Sequence, residues 1–377
     1  MVIFVSEIEA LSNKTTSTHI LTENIIYGLK QTGYEVIFIA ICETPESCDN
    51  VKKYYTDIVD ELYIFKSRFS LNNSKFSKLF SMLKGVVLRN GYKFPFINKL
   101  NSEKETILLS HMPSYEALFV CREVLTHYPN MRYIQYWSDP IALSGIMPEG
   151  FNYKRFPFYL LEKYAYKFAD EIVFGTETLL NMSAELYPKY KDNMRYVDIA
   201  YLHTSSSPSM YKDRYKFIYA GNYYSSIRNI KPLYDAFSEL NNKYSVDIYG
   251  SGDVNLPQTE NVKFHNRVSP EELVCIENGY RNTISLLNHS CLQIPGKTFY
   301  RTNTDQVILV IADGIHKAEL TKYLAKYNRF CICDNNKEDI KRSVEKIAEI
   351  EKFCCPENII DILSPEYVSK RIVEGDK

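Results

Sequence analysis

The chain alternates short apolar runs with longer amphipathic stretches. The run Val2–Val5 and the almost wholly apolar stretch Tyr34–Ile41 are typical of strands that are covered on both faces. Between them, Leu21, Ile25 and Leu29 recur at helical spacing. Strands that alternate with helices in this way predict a parallel, doubly wound α/β sheet.

This alternation runs twice along the chain. In the first half, further strands are predicted at Leu62–Phe65, Ile107–Ser110, Arg132–Trp137, Glu171–Phe174 and Arg195–Ile199. A Ser-rich stretch at 202–209 is typical of a linker. After it, strands are predicted at Lys216–Ala220, Ser245–Tyr249, Val262–His265, Thr283–Leu287, Val307–Ile311 and Phe330–Cys333. We therefore predict two Rossmann-like domains that face a central cleft, at 1–205 and 212–360, with a C-terminal helix in 361–377.

Composition and charge exclude several classes of protein. Apolar residues make up 45% of the 377 residues and charged residues 24%, which excludes wholesale disorder. The net charge of −1 excludes a general affinity of the whole chain for nucleic acid. The first residues lack the basic region of a secretory signal, and no stretch approaches the roughly 18 apolar residues of a membrane span. We therefore expect a cytoplasmic location.

No motif in the sequence indicates a metal or a cofactor. The nine cysteines show no C-x-x-C spacing and offer no four-ligand zinc cluster, so they indicate reduced thiols. No Asp-x-Asp motif, dinucleotide fingerprint or P-loop occurs. The fragment Gly250–Asp253 follows a predicted strand, but two glycines there are more often a turn.

Cations follow a strand in the second half. The strand Phe217–Ala220 leads into Gly221 and Asn222, and Arg228 and Lys231 come next, near the start of a predicted helix. The free N–H groups of a helix N-terminus, together with two cations, suit a diphosphate. The alternative is that both cations are solvated surface charges.

A second cation stands in a similar place further along the chain. Pro295 and Gly296 predict a tight turn into a helix whose first turn holds Lys297. A cation there opposes the helix dipole, so we expect an anionic partner nearby. Arg228 and Lys297 are therefore the predicted anion-binding pair.

Several segments resemble, in order, the bacterial GT-B glycosyltransferases of the large retaining, nucleotide-sugar-dependent group that builds capsules, O-antigens and exopolysaccharides. The matching segments span nearly the whole chain: Leu108–His111, Gln135–Pro140, Ala169–Val173, the strand followed by Gly221, Arg228 and Lys231, Tyr249–Gly252, Val262–Asn266 and Ile294–Phe299. The resemblance implies a GT-B fold, an acceptor-side first domain and a second domain that binds a UDP- or GDP-sugar. It also implies metal-independent transfer of a hexose, with retained configuration, to a hydroxyl of a glycan or lipid-linked glycan in surface polysaccharide synthesis.

The resemblance also gives roles to particular residues. His111 would contact the transferred sugar and Asp139 would be an active-site carboxylate, with Arg228 and Lys297 stabilising the departing diphosphate. The alternatives are a hydrogen-bonded structural histidine and a carboxylate that simply starts a turn before Pro140. His265 and His289 are interpreted as packing or surface residues. We expect the donor to be bound by Gly221, Asn222, Lys231, Val268, Pro295, Gly296 and Tyr300.

Members of this family often carry two glutamates eight positions apart, and the second of them holds the donor ribose. This chain has neither glutamate. Leu292 and Tyr300 stand at the matching places. The ribose must therefore be held by another group, or the donor is bound differently. Two other functions stay open: a nucleotide-sugar 2-epimerase, which the missing glutamates disfavour, and a non-catalytic binding or scaffold subunit, which they favour.

The segment 65–100 is basic and amphipathic. It contains eight Lys or Arg and no Asp or Glu, interleaved with apolar residues of which Leu79 and Leu83 share a helical face. Such a segment suits peripheral attachment to an anionic membrane surface, on the inner face of the cell membrane. The alternative is a solvated helix whose apolar stripe packs on the first domain.

Overall fold

The structure is a computed structural model, and its described residues are 1–8, 17–67, 94, 105–139, 142–143, 156–203, 213–289, 293–351 and 355–375. These residues belong to two compact units. The first unit lies within Met1–Ala142, Tyr153–Asp198 and Pro365–Lys377, and the second within Leu143–Asn152 and Ile199–Ser364.

Each unit is built on one parallel sheet. The strands of the first are β1 (Val2–Ile8), β2 (Val36–Cys42), β3 (Glu61–Lys66), β4 (Ile107–Met112), β5 (Arg132–Trp137), β6 (Glu171–Phe174) and β7 (Met194–Tyr196). Those of the second are β8 (Lys216–Ala220), β9 (Ser245–Tyr249), β10 (Val262–His265), β11 (Asn282–Leu286), β12 (Val307–Ala312) and β13 (Phe330–Asp334). The orders are β3-β2-β1-β4-β5-β6-β7 and β10-β9-β8-β11-β12-β13. The predicted pair of Rossmann-like α/β domains is confirmed.

Helices connect the strands. They are α1 (Ser17–Gln31), α2 (Pro45–Tyr55), α3 (Tyr115–His127), α4 (Phe156–Tyr166), α5 (Glu177–Leu186), α6 (Lys231–Glu239), α7 (Pro270–Glu277), α8 (Lys297–Tyr300), α9 (Lys317–Ala325), α10 (Lys337–Glu349), α11 (Glu357–Ile362) and α12 (Pro365–Glu374), with a 3₁₀ turn at Pro188–Asn193. Within the described residues, no helix is long and apolar enough to span a membrane.

The cores follow from the apolar runs. Every residue of β2 and of β12 is buried, because helices cover both faces of a parallel sheet. Each large apolar side chain removed from water in this way contributes roughly 1.5–3 kcal/mol. Side chains also cap some of the helix starts; the Ser114 hydroxyl, for example, accepts the N–H of Ala117 at 3.0 Å and caps α3.

The last helix, α12, belongs to the first unit. Gly28 of α1 allows the close approach, since a Cβ there would lie 2.0 Å from the carbonyl oxygen of Pro365. Arg132 and Arg195 donate to carbonyls in the last turn of α12, and both also contact Glu171. The predicted C-terminal helix is therefore integrated into the sheet unit that begins the chain.

Candidate functional site

In the first unit, the strand order reverses between β1 and β4, the place where open α/β sheets bind ligands. His111, in β4, lies there and is 3% exposed. Its Nδ1 lies 3.4 Å from the hydroxyl of Thr22, which in turn lies 3.0 Å from the hydroxyl of Ser6. Its Nε2 lies 3.0 Å from the hydroxyl of Ser138. Burial lowers the pKa of His111 to about 4, so the imidazole is neutral at pH 7.

Asp139 lies next to this hydrogen-bonded chain. The Ser138 hydroxyl is 3.4 Å from the Asp139 carboxylate, so the structure brings His111 and Asp139 together through Ser138. Glu162 accepts the N–H of Ala142, which follows Asp139 closely in sequence, at 2.9 Å, and it accepts the hydroxyl of Tyr187 at 2.6 Å. Sequence reasoning missed Glu162, because a glutamate in an amphipathic helix is usually solvated.

In the second unit, two strand-end loops pack backbone against backbone. The Gly221 N–H donates to the Tyr249 carbonyl at 2.7 Å. A Cβ on Gly250 would lie 2.2 Å from the Gly221 carbonyl oxygen, and a Cβ on Gly221 would lie 1.6 Å from Nζ of Lys297. Position 250 therefore needs glycine for this close approach of backbone to backbone, whereas the atom nearest to Gly221 is the end of a flexible side chain. Of the two glycines expected only as a turn, Gly250 supports the loop 220–222, and Gly252 packs against Tyr223.

Lys297 reaches the carboxyl end of β8. Its ammonium donates to the Ala220 carbonyl at 2.5 Å and lies 4.7 Å from the ring centroid of Tyr219. Burial, and then the like charge of Arg228, hold the pKa of Lys297 well below its usual range. The charge of Glu277 acts in the opposite direction. A nearby anion would also favour the ammonium form.

Arg228 converges on the same loop. One of its terminal nitrogens donates to the Asn222 carbonyl at 3.1 Å, and the Tyr219 hydroxyl donates to that carbonyl at 3.0 Å. Its Nε is buried and has no hydrogen-bond partner among the residues that the structure describes. Two cations thus face one strand end, beside the point where the order of the second sheet reverses between β8 and β11. Their mutual repulsion favours an anion there.

The remaining predicted donor residues take different positions. Lys231 starts α6, but its ammonium forms an exposed ion pair with Asp235 at 2.7 Å and does not join the cation pair. Val268 is half-buried in the loop after β10. Pro295 is buried, and a Cβ on Gly296 would lie 2.7 Å from the Tyr300 hydroxyl.

The predicted helix after Gly296 is α8, a single turn of four residues. So short a helix has little dipole, so the dipole argument for an anion at Lys297 does not apply. The reason for an anion is instead the proximity of Arg228.

Sequence reasoning also missed Glu277. Burial raises the pKa of its carboxyl, and the charges of Arg301 and Lys297 act in the opposite direction. Over the described part of the chain, no three His, Cys, Asp or Glu side chains are placed to hold a metal ion.

Comparisons with known proteins give a fold. No family model matches the chain, and no curated protein matches it. The N-terminal domain of a Candida albicans trehalose-6-phosphate phosphatase aligns at 10% identity over 98% of this chain and 92% of its own, with a TM-score of 0.57. A glycosyltransferase from Rickettsia africae aligns at 10% identity over 99% of both chains, with a TM-score of 0.53.

A putative UDP-N-acetylglucosamine 2-epimerase from Listeria monocytogenes aligns at 12% identity over 99% of this chain and 95% of its own, with a TM-score of 0.52. At such identities a likeness shows the fold alone. The two parallel sheets, their strand orders and these likenesses give the chain the GT-B fold.

Proposed function

We propose that the chain is a glycosyltransferase that moves a sugar from a UDP- or GDP-sugar to a hydroxyl of a glycan or lipid-linked glycan in surface polysaccharide synthesis. The observation that carries the proposal is the pair Arg228 and Lys297, which meet on the loop 220–222 at the switch point of the second sheet. The likeness to proteins named as a glycosyltransferase and a UDP-sugar epimerase supports a nucleotide sugar as the ligand.

The difficult step is loss of the bond between the anomeric carbon and the diphosphate oxygen. The electron pair of that bond leaves with the diphosphate, and Arg228 and Lys297 stabilise the charge that develops. Both are fixed before reaction by the carbonyls of Asn222 and Ala220, so little reorganisation is needed. The pair supplies positive charge at the leaving group, and the proposed mechanism needs no metal.

The acceptor hydroxyl attacks the anomeric carbon, and its proton passes to the departing diphosphate oxygen. The proposed route runs on one face of the sugar and retains the anomeric configuration, as the resemblance implies. It needs no protein base, which agrees with a His111 whose pKa of about 4 makes it a weak one. His111 instead orients Ser138 beside Asp139.

The test is an incubation of the purified chain with a panel of UDP- and GDP-sugars, with and without lipid-linked glycan acceptors. Nuclear magnetic resonance and mass spectrometry identify the products. The proposal expects release of a nucleoside diphosphate that one acceptor accelerates, with the sugar attached to that acceptor. Conversion of the donor to its epimer would identify an epimerase instead, and binding without any turnover would identify a non-catalytic subunit.

A further inference from the structure

A second polar cluster lies at the carboxyl ends of β11, β12 and β13. The carboxylate of Asp313 accepts the N–H of Gly314 and the side-chain amide of Asn335, both at 2.7 Å. The same carboxylate lies 3.2 Å from Nδ1 of His289. The Asp313 side chain is 15% exposed and that of His289 is 57% exposed. The carboxylate is thus an anchor, and the imidazole reaches the surface.

The backbone holds this cluster in place. Gly314 has a φ of +80°, and a Cβ there would lie 1.9 Å from the carbonyl oxygen of His289. Only glycine therefore allows the turn after Asp313 to pack directly on the backbone of His289. The position of the imidazole relative to the carboxylate is fixed by that contact.

The cluster is also attached to the loop that carries Arg228. The His289 N–H donates to the Ile227 carbonyl at 2.6 Å, and the Asn335 amide donates to the Asn229 carbonyl at 2.9 Å. These two carbonyls flank Arg228 in sequence. The imidazole and the cation pair therefore lie at the same edge of one sheet, beside the point where the strand order reverses between β8 and β11.

The contact with Asp313 determines what the imidazole can recognise. A carboxylate only accepts hydrogen bonds, so Nδ1 must carry the hydrogen. When the ring is neutral, Nε2 is then an acceptor, and within the described residues nothing is hydrogen-bonded to it. In that form a sugar hydroxyl can donate to Nε2, whereas a phosphate oxygen without a hydrogen cannot.

We propose that His289, oriented by Asp313, accepts a hydrogen bond from a hydroxyl of the donor sugar and so contributes to the choice of sugar. This inference rests on the proposed function, because it puts the sugar beside a diphosphate held by Arg228 and Lys297. The sequence alone gave His289 a packing or surface role. Its partner Asp313 is 24 residues away, and no local pattern indicates that contact.

The test uses two variants that distinguish the role of Nδ1 from the role of Nε2. His289→Asn keeps an amide nitrogen near Nδ1, and so the contact with Asp313, but removes Nε2. His289→Gln extends a polar group towards the position of Nε2. Titration calorimetry measures the affinities of UDP, UDP-glucose, UDP-N-acetylglucosamine, GDP and GDP-mannose for each form, and the tightest-binding nucleotide sugar is compared with its own diphosphate.

We expect His289→Asn to bind that nucleotide sugar about threefold to tenfold more weakly, as for one lost hydrogen bond, with the affinity for the diphosphate unchanged. His289→Gln should lose less. The matched control is His265→Asn, since His265 also contacts an aspartate, Asp247 at 2.5 Å, but lies on the outer strand β10 and stacks on Tyr249 at 4.3 Å. The control should change neither affinity.

Two results would overturn the inference while leaving the proposed function intact. One is wild-type affinity of His289→Asn for the nucleotide sugar. The other is an equal loss for the sugar nucleotide and the diphosphate, which would indicate a structural role for His289. A wild-type chain that binds no nucleotide at all would overturn both proposals, and that titration comes first.

Discussion

Burial determines the charge of two residues that the sequence singles out, His111 and Lys297. The imidazole loses water in the first unit and the ammonium loses water in the second, so the pKa of each is lowered. The consequences differ because the surroundings differ. His111 stays neutral inside a chain of hydroxyls, whereas Lys297 lies beside Arg228, where an arriving diphosphate would favour the charged form.

The stability of the chain should fall as the pH drops from 6.5 to 4, partly because of His111. The folded state keeps the imidazole neutral down to a pKa of about 4, while the unfolded chain binds a proton below about 6.5. The unfolded state therefore binds more protons in this window. Between pH 7 and pH 4.5, the wild type should lose roughly 2–3 kcal/mol more unfolding free energy than His111→Gln.

Urea unfolding of both forms at the two pH values measures this difference. Other groups titrate equally in wild type and variant, so only the difference between them reports on His111. An equal loss of stability in the two forms would show that the ring is accessible to protons in the folded state.

At the scale of elements, the cation pair depends on how the ends of β8 and β9 pack. Gly250→Ala should weaken nucleotide binding although it touches neither cation, because its Cβ would press on the Gly221 carbonyl from 2.2 Å. Backbone atoms move less easily than the end of a side chain. The overpacking should therefore also lower the free energy of unfolding by about 1–3 kcal/mol. Calorimetry with UDP and thermal unfolding measure the two effects.

Gly279→Ala is the matched control in the same unit. Its Cβ would meet a single atom, the Ile276 carbonyl oxygen at 3.2 Å, and it lies after α7. We expect nucleotide affinity close to that of the wild type for this variant. If Gly250→Ala binds UDP as the wild type does, the loop 220–222 does not depend on the support that the structure gives it.

The basic segment 65–100 makes a separate prediction at this scale, from its sequence alone, because it lies outside the described residues apart from 65–67 and Phe94. Each cation near an anionic membrane contributes about 1 kcal/mol at modest salt. The chain should sediment with anionic liposomes, less at high salt, and less with Lys75, Lys78 and Lys84 changed to Glu. If the chain does not bind the liposomes, or binds them equally well whatever the lipid charge, the salt concentration and these substitutions, the interpretation of the segment as a solvated helix would remain.

At the scale of the molecule, strands such as β2 and β12 were predictable because they are apolar on both faces. The predicted strand Thr283–Leu287 is displaced by only one residue from β11. Contacts between distant segments were not predictable. The bond from Lys297 to Ala220 spans 77 residues, and α12 joins the unit at the opposite end of the chain. Periodicity indicates which face of a helix is buried, but not which element it meets.

The same limit applies to the candidate site. Arg228 and Lys297 could be named from their positions after a strand and after a Pro-Gly turn. Two other features depend on which residues the fold brings together. They are the packing of Gly250 under the loop 220–222 and the electrostatic interaction between Glu277 and Lys297. The His289–Asp313 contact likewise requires β11 and β12 to be adjacent in the sheet.

Titration calorimetry of UDP and GDP against the wild type, Arg228→Ala, Lys297→Ala and Lys231→Ala tests the central claim most directly. Charge-assisted contacts are worth roughly 1.5–3 kcal/mol, so each of the first two variants should bind the preferred diphosphate about tenfold or more weakly. Lys231→Ala removes a cation from the same region that is already paired with Asp235, and should stay within about twofold of the wild type. Wild-type affinity in both Arg228→Ala and Lys297→Ala, with the fold intact by circular dichroism, would contradict the account.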